Sequence, residues 1–309
     1  MLALAGCGDS ISDDDDDSLE RIEFAARVRW DVQAAPSAIA VADLDGDGDQ
    51  DLAVANKDAD SVSVLLGNGD GTFAAATHFA VAAGDLDDDD VPDLAVVDSG
   101  DDTVAILIGN GDTTFGAATA FLVGDGPVGV AAVDLDLDDD LDLVVANLIG
   151  DTVVTCLGLG AATFAPPVVI ATLPEPAALE VAQIDGTGGI DVAVANPYAD
   201  AFTLLFGAAN ADGTFPTALA YSASGEPSSL AFGDLDGDLL LDVAVARFLA
   251  DDVGVLFGDG TGAMVDPGTV GCGNAPGVVR IADFNGDGRR DLVVANSAGA
   301  TVSVLLQRP

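Results

Sequence analysis

Short apolar runs of strand length alternate with turns rich in Asp, Gly and Asn along most of the chain. Ala, Val and Leu dominate these runs, as in DLAVAN and SVSVLL. Short apolar runs bounded by turn residues are typical of β-strands. The pattern therefore predicts an all-β protein, and the apolar runs are too short to cross a bilayer.

One acidic loop recurs along the chain and is followed each time by an apolar strand. Its first copy is DLDGDGDQD, residues 43–51. The later copies are DLDDDDVPD from Asp85, DLDLDDDLD from Asp134, QIDGTGGID from Gln183, DLDGDLLLD from Asp234 and DFNGDGRRD from Asp283. The intervals between their first positions are 42, 49, 49, 51 and 49 residues, which indicates an internal repeat.

Two further markers keep the same phase as the loops. A proline stands seven residues before five of the loops: Pro36, Pro127, Pro176, Pro227 and Pro276. A glycine-rich turn ends in Phe73, Phe115, Phe164 and Phe215, with Met264 in the equivalent place. Each unit reads as a first strand, the Asp loop, a second strand, a short turn, a third strand, a glycine hairpin and a fourth strand. Four short strands per unit predict one blade of a β-propeller.

The two ends of the array complement each other. Phe24 lies 19 residues before Asp43, the distance that separates Phe115 from Asp134, so residues 22–31 are interpreted as a fourth strand. Only three strands follow the sixth loop. We expect residues 22–31 to complete that last blade and close a ring of six four-stranded antiparallel blades over residues 22–309, because closure removes open sheet edges.

One junction between units is shortened. Only 12 residues separate Phe73 from Asp85, against 19 in the later units. The segment FAVAAGDL is therefore expected to serve as the fourth strand of the first unit or as the first strand of the second, and not comfortably as both, which predicts a defective junction between the first two blades.

The spacing of carboxylates in the loop suggests a cation site. Asp43, Asp45, Asp47 and Asp51 stand at positions 1, 3, 5 and 9, as in the start of an EF-hand calcium loop, and the carbonyl of Asp49 would supply position 7. No glutamate follows at position 12, and a strand replaces the EF-hand helix. The alternative for such a loop is a solvated acidic turn.

Residues 22–309 resemble FG-GAP/VCBS-type repeats, the calcium-binding propeller repeats also found in integrin α-chain heads. The resemblance rests on the DxDGDGxxDL loops, the GxGxF hairpins and the recurrent proline. It implies five ligand sets, which are Asp43, Asp45, Asp47, Asp51; Asp85, Asp87, Asp89, Asp93; Asp134, Asp136, Asp138, Asp142; Asp234, Asp236, Asp238, Asp242; and Asp283, Asn285, Asp287, Asp291, with position-7 carbonyls from residues such as Asp49 and Arg289.

Oxygen-only ligands of this kind favour calcium over magnesium, zinc or copper. In the fourth loop, Gln183–Asp191, Gln183 and Thr187 replace two carboxylates. We expect that loop to be empty or weak, which leaves about five calcium sites.

The net charge of −44 excludes whole classes of partner. Such a field repels nucleic acid and anionic membranes, so we expect no nucleic-acid role and membrane association only through a lipid anchor. A saline habitat and a calcium-rich extracellular setting both remain compatible with the acidity.

The N-terminal residues predict export. LAGC, ending at Cys7, is similar to a bacterial lipobox, and residues 1–7 are interpreted as the remnant of a lipoprotein signal peptide whose start lies further upstream. A chance LAGC is the alternative. Residues 8–21 contain SISDDDDDS and predict a disordered acidic tether. The protein is thus expected to be lipid-anchored on a bacterial cell envelope or secreted.

The residue inventory argues against catalysis. His78 is the single histidine and is expected on the surface of an edge strand, and Cys156 and Cys272 are expected to be free, with Cys156 in the core. We therefore predict a non-catalytic protein. The alternative is a secreted polysaccharide hydrolase or lyase with a site in the central channel.

The turns between second and third strands are the predicted binding surface. They are NKDADS, DSGDDT, NLIGDT, NPYADA, RFLADD and NSAGAT, and they contain the unusual residues Lys57, Tyr198, Arg247 and Phe248. Variable turns on a rigid scaffold often carry specificity, although drift without selection is the alternative. We predict a monomeric adhesion or recognition module that binds a protein or polysaccharide.

Overall fold

The computed structural model describes residues 36–42, 51–56, 61–65 and 77–307, except 112–114, 209–211, 285–286 and 299–300, and before residue 81 it describes the backbone alone. These residues form five antiparallel sheets. The first sheet contains β1 (Pro36–Ala42), β2 (Asp51–Asn56), β3 (Ser61–Leu65), β4 (Thr77–Gly84), β5 (Asp93–Asp98), β6 (Thr103–Leu107) and β7 (Thr119–Leu122).

The other sheets follow in chain order. The second contains β8 (Pro127–Val133), β9 (Asp142–Asn147), β10 (Thr152–Cys156) and β11 (Val168–Ala171). The third contains β12 (Ala178–Ala182), β13 (Asp191–Asn196), β14 (Ala201–Phe206) and β15 (Thr217–Ser222). The fourth contains β16 (Pro227–Gly233), β17 (Asp242–Arg247), β18 (Asp252–Gly258) and β19 (Met264–Gly271). The fifth contains β20 (Pro276–Ala282), β21 (Asp291–Asn296) and β22 (Thr301–Leu305). One 3-10 turn, Pro197–Ala199, lies between β13 and β14.

The recurrent proline begins the first strand at an irregular pair. Pro127 lies opposite Asn147, and the register then shifts before Gly129 pairs with Ala146. The same shift follows Pro36, Pro227 and Pro276. Proline has no N–H to donate to the hydrogen-bond ladder of a sheet. It is therefore tolerated at the first residue of a strand, where the register of pairing is already irregular.

The shortened junction is formed by one strand that serves two units. The first half of β4 pairs with β3, from Thr77 opposite Val64 to Ala80 opposite Ser61. Its second half pairs with β5, from Val81 opposite Val96 to Gly84 opposite Asp93. The segment therefore serves both units, each with half of its length, which corrects the expectation of a single role, whereas the predicted defective junction is present. The strand divides along its length, so the first two units share one seven-stranded sheet.

The cores lie between consecutive sheets. In β9, Leu143 and Val145 belong to one buried cluster with β5 and β6, whereas Val144 belongs to another with β13 and β14. All six residues of β9 and of β13 are buried. A strand covered on both faces has a continuous apolar sequence, and each fully buried Val or Leu contributes roughly 1.5–3 kcal/mol. Because neighbouring sheets cover both faces of the second strand of a unit, its sequence is apolar at successive positions, as in VVA or AVA, and does not alternate with polar residues.

The all-β class and the four-stranded antiparallel blade are confirmed by these sheets. Closure by residues 22–31 concerns residues outside the described part, and the count of six blades stays a prediction. Cys156 ends β10 as a buried free thiol, as predicted, and Cys272 is a free thiol in the connection before β20. Within the described residues, no helix is long and apolar enough to span a membrane.

Candidate functional site

The ninth position of each described Asp loop is a buried aspartate: Asp93, Asp142, Asp191, Asp242 and Asp291. In the third loop, the N–H of Leu135 donates to Asp142 Oδ2 and the N–H of Gly158 donates to Oδ1, both at 2.6 Å. The same two bonds recur in the other four loops at 2.6–3.0 Å. This carboxylate therefore joins the Asp loop to the hairpin after the third strand.

Glycine at the hairpin end is required by the closeness of the loop. A Cβ on Gly158 would lie 2.7 Å from the carbonyl oxygen of Leu141, and one on Gly258 would lie 2.2 Å from that of Leu241. Such contacts are shorter than any side chain tolerates. The recurrent glycine after the third strand thus lets the backbone N–H reach the buried carboxylate.

The first-position aspartate of four described loops is held by backbone donors of the same loop. Asp134 Oδ1 accepts from the N–H of Leu137 at 2.7 Å, and its Oδ2 accepts from the N–H of Asp139 at 3.2 Å. Asp85, Asp234 and Asp283 accept equivalent bonds. The loop therefore curls around its own first carboxylate.

Positions 1, 3 and 9 come together in three loops. Asp85, Asp87 and Asp93 offer ligand oxygens within 4.8 Å of one another, as do Asp134, Asp136 and Asp142, and Asp234, Asp236 and Asp242. Each carboxylate oxygen has two lone pairs, so the position-9 oxygens can accept an N–H and still contact a cation. These three groups could each hold a metal ion.

Two oxygens in these groups lack any hydrogen-bond partner although they are buried: Asp87 Oδ1 and Asp136 Oδ1. Burial, and then the neighbouring carboxylates, raise the pKa of both side chains. Burial also raises the pKa of Asp142 to about 6. An unpartnered buried carboxylate oxygen is costly unless a cation or a proton neutralises it, so the residues present fit a bound cation.

The fifth-position carboxylates have a separate role in the backbone. Oδ1 of Asp89, of Asp138 and of Asp238 accepts the N–H two residues later, at 2.8, 3.0 and 2.8 Å. These side chains are outside the groups formed by positions 1, 3 and 9 in the described loops. Their role as cation ligands stays a prediction.

The fourth loop satisfies its carboxylate internally. Asp185 Oδ1 accepts from the N–H of Thr187 at 2.9 Å and from its hydroxyl at 2.7 Å. Thr187, at position 5, thus donates its hydroxyl to the third-position carboxylate, whereas the other loops have a carboxylate at position 5. This contact supports the prediction of a weak or empty fourth site. Ligands predicted at residues 43, 45, 47, 49 and 285 lie outside the described part, and Asp51 is described only in its backbone.

The second-to-third-strand turns lie at the sheet ends opposite the Asp loops, and we call this surface the turn edge. Three successive turns expose large apolar side chains there: Ile149 is 73% exposed, Tyr198 78%, Phe248 37% and Leu249 64%. The sequence analysis identified Tyr198 and Phe248 but missed Ile149 and Leu249. Their signal was a second large apolar residue in a turn, after Leu148 in NLIGDT and after Phe248 in RFLADD.

The other two residues predicted to bind a partner are Arg247 and Lys57. Arg247 Nε and Nη2 donate to the two carboxylate oxygens of Asp252 at 2.7 and 2.6 Å, so this guanidinium stabilises its own hairpin. Lys57 lies outside the described residues.

A recurrent aspartate in these turns was also missed. Asp102, Asp151, Asp200 and Asp251 each precede a third strand, and their Oδ1 atoms accept backbone N–H groups from the connection to the next sheet at 2.7–3.2 Å. Asp60 stands at the same position of the first unit. The sequence signal was the fixed Asp directly before the third strand, and these bonds tie each sheet to the connection that follows it.

Asp200→Asn is expected to lower the melting temperature at neutral pH. The N–H groups of Gly225 and Glu226 hold the pKa of Asp200 below its usual value, so the charged form stabilises the fold above the unfolded-state pKa. That contribution is lost as the pH falls through the folded-state pKa. Melting curves of variant and wild type should therefore differ at pH 7 and converge in acid. Asp101→Asn, an exposed aspartate of an equivalent turn, is the control, and an undiminished difference in acid would contradict the assignment.

The comparisons with known proteins agree with this architecture. The model of the FG-GAP-like repeat matches residues 27–84, 85–145 and 183–245, more than half of the chain. No curated protein matches the sequence.

Solved structures of similar fold are distant in sequence. A putative 6-phosphogluconolactonase from Bacteroides uniformis is 13% identical with a TM-score of 0.57, covering 84% of this chain and 78% of its own. BBS1N in complex with ARL6DN is 15% identical with a TM-score of 0.52, covering 84% and 77%. Streptogramin B lyase is 12% identical with a TM-score of 0.50, covering 89% and 84%. Their likeness concerns the fold alone, whereas the three repeat matches show that the chain belongs to the FG-GAP-like repeat family.

Proposed function

We propose that the protein is a non-catalytic, calcium-stabilised recognition module of the cell surface or extracellular space, and that its turn edge binds a protein or polysaccharide. The observation that carries this proposal is the exposure of Ile149, Tyr198, Phe248 and Leu249 on three successive turns. Exposed large apolar side chains mark an interaction surface when they lie close to one another.

Backbone bonds bring two of these turns to one place. Asp200 accepts from the N–H groups of Gly225 and Glu226, while the carbonyls of the same two residues accept from the N–H groups of Leu249 and Phe248. The turn of Tyr198 and the turn of Phe248 thus flank a single connection. This arrangement supports a fixed contact surface at the turn edge.

Calcium is the metal that the loops fit best. Three carboxylates meet in each of three described loops, and hard oxygen ligands in a flexible loop favour calcium. Bound calcium would neutralise charge between the first and second strands and add its binding free energy to the folded state. The residues that would hold it are positions 1, 3 and 9, with positions 5 and 7 as predicted additional ligands.

The non-catalytic assignment rests on the residue inventory. The chain has one histidine among 309 residues, and within the described residues the carboxylates that cluster belong to the Asp loops. The structures of similar fold include a lyase as well as BBS1N, so the fold is compatible with either class of protein.

Binding of the full chain to arrays of glycans and of purified extracellular proteins, with calcium present, tests the proposal. Tyr198→Ser combined with Phe248→Ser should reduce binding to the captured ligand at least tenfold, because buried aromatic contacts dominate interface energies. Val168→Ser combined with Leu219→Ser is the matched control, since both side chains are exposed on fourth strands and pair with Thr155 and Leu204, away from the turns. Equal loss in both double variants, or unchanged binding in the turn variant, would overturn the turn edge as the binding surface.

A further inference from the structure

Four sheets end in a fourth strand that, within the described residues, pairs with the third strand alone: β7, β11, β15 and β19. The other edge of each strand presents backbone N–H and C=O groups that no described strand pairs. β22 is a third strand, and residues 22–31 are predicted to cover its edge. An open strand edge is a template for pairing with another chain.

Three of these four edges have a feature that hinders strand pairing. β7 and β11 contain only four residues each. β19 contains Asp266 and Pro267, and its register with β18 is irregular. Short strands, charged residues, prolines and irregular pairing are the means by which natural sheets protect their edges.

β15 has none of these features within its length. It spans six residues, Thr217–Ser222, and pairs with β14 without a register shift. Pro216 precedes the strand, and no charged residue occurs between Asp212 and Glu226. All of its residues except Tyr221 are exposed. β15 is thus the one described fourth strand whose open edge is both long and unprotected.

Contacts inside the protein hold β15 in position. The ring of Tyr221 stacks on that of Phe202, with the ring centroids 5.3 Å apart. The hydroxyl of Tyr221 donates to the carbonyl oxygen of Gly262, in the hairpin of the next sheet, at 2.7 Å. The edge is therefore already ordered for pairing, which lowers the entropy cost of association.

We propose that β15 pairs with β15 of a second copy of this chain, antiparallel and about a two-fold axis, so that two four-stranded sheets become one continuous sheet. A two-fold contact uses the same edge of both copies, so a single contact covers both open edges. A strand added by another protein would leave its own outer edge open. This dimer replaces the monomer expected from the sequence, and it goes beyond the proposed function without depending on it.

The side chains of β15 suit pairing with an identical strand. Successive side chains of a strand point to opposite faces, so Ala218, Ala220 and Ser222 share one face, and all three are small. No like charges would oppose each other across the two-fold axis, and a charged partner would find no opposite charge on the strand.

The net charge of −44 opposes the association of two copies. Salt screens that repulsion, with a Debye length of about 8 Å at physiological ionic strength. The contact between two single strands is also small. The dimer should therefore be weak and should be strengthened by added salt.

Sedimentation velocity of the full chain, with calcium present and over a range of protein and salt concentrations, tests this inference. The wild type should change from monomer to dimer as its concentration rises. Ala220→Lys should weaken dimerisation about tenfold, because the two-fold axis places the charge in the contact twice. Val169→Lys is the matched control, since Val169 is 64% exposed on β11, and it should change dimerisation less than about twofold.

A mixture of two charge variants gives a second test. Ala220→Lys and Ala220→Glu should each remain monomeric at concentrations where the wild type forms dimers. A one-to-one mixture should form dimers again, because opposite charges then face each other across the paired strands. This recovery would also show that both variants are folded.

Three results would overturn the pairing of β15 with itself. A wild type that stays monomeric at every protein and salt concentration would leave a strand from another protein as the remaining occupant of the edge. Dimerisation that Ala220→Lys leaves unchanged, or that Val169→Lys weakens equally, would place the contact elsewhere. A mixture that stays monomeric would exclude direct pairing of the two strands. None of these measurements involves the ligand of the turn edge, so their failure leaves the proposed function unaffected.

Discussion

Asp142→Ala is expected to destabilise the folded protein by about 3–5 kcal/mol, the cost of leaving two buried backbone donors without acceptors. Asp142 is 0% exposed, and its carboxylate accepts from Leu135 and Gly158 at 2.6 Å each. Alanine would also leave a small cavity and remove one carboxylate of the third loop. Urea denaturation of the full chain, with saturating calcium and with excess chelator, measures the change.

The fourth loop provides the matched control for Asp142. Asp191 accepts the same two bonds, from Ile184 at 2.6 Å and Gly207 at 2.9 Å, but its loop lacks the four-carboxylate set. Asp191→Ala should therefore cost the same with calcium and with chelator, whereas Asp142→Ala should cost more when calcium is present. A loss below about 1 kcal/mol for either variant, within the range of ordinary surface changes, would show that the buried bridge is not essential.

Removal of calcium is expected to produce the second large effect, a strong fall in melting temperature. Each occupied site stabilises the fold by about 2.7 kcal/mol at a calcium concentration one hundred times its dissociation constant, and several sites act together. The unpartnered Oδ1 atoms of Asp87 and Asp136 give the physical reason, because buried carboxylates repel one another without a cation. Thermal melts with calcium and with excess chelator, followed by metal counting on the dialysed protein, measure the effect. We expect about five ions per chain from the ligand sets.

A pair of third-position variants makes this prediction specific. Asp236→Ala should lower the melting temperature with calcium and have little effect in chelator, because Asp236 is exposed and belongs to a carboxylate group. Asp185→Ala in the fourth loop should have the same effect under both conditions, since its partner is Thr187. Equal losses of Asp236→Ala with calcium and with chelator, or a melting temperature that does not respond to calcium at all, would count against the metal sites.

Much of the candidate metal site could be predicted from the spacing of Asp residues. The repeat placed Asp134 and Asp136 in one short loop, and a loop of nine residues has few ways to fold around its first carboxylate. The bridging role of Asp142 could not be predicted in this way. Its second donor, Gly158, lies 16 residues further along the chain, and only the pairing of β9 with β10 brings the two together.

The shared strand β4 shows a similar limit. The missing seven residues before Asp85 were visible as a shortened interval. The sequence did not show whether the eight residues of the remaining strand would pair with the first unit, with the second, or with both. Backbone donors and acceptors in a strand are satisfied along its length, so four residues can pair with β3 and the next four with β5. The pattern of apolar residues along the chain does not show where in β4 the pairing partner changes.

The sequence by itself determined the repeated four-strand unit, the all-β class and the positions of the Asp loops, because these depend on contacts within one unit, between residues near in the chain. The tertiary structure decided the rest. Stacking of consecutive sheets placed Leu143 and Val144 in different cores, and the connections between sheets gave Asp200 its backbone donors. It also decided which apolar side chains stayed exposed at the turn edge. Those contacts join different units, and their geometry is set by packing that no local spacing of residues specifies.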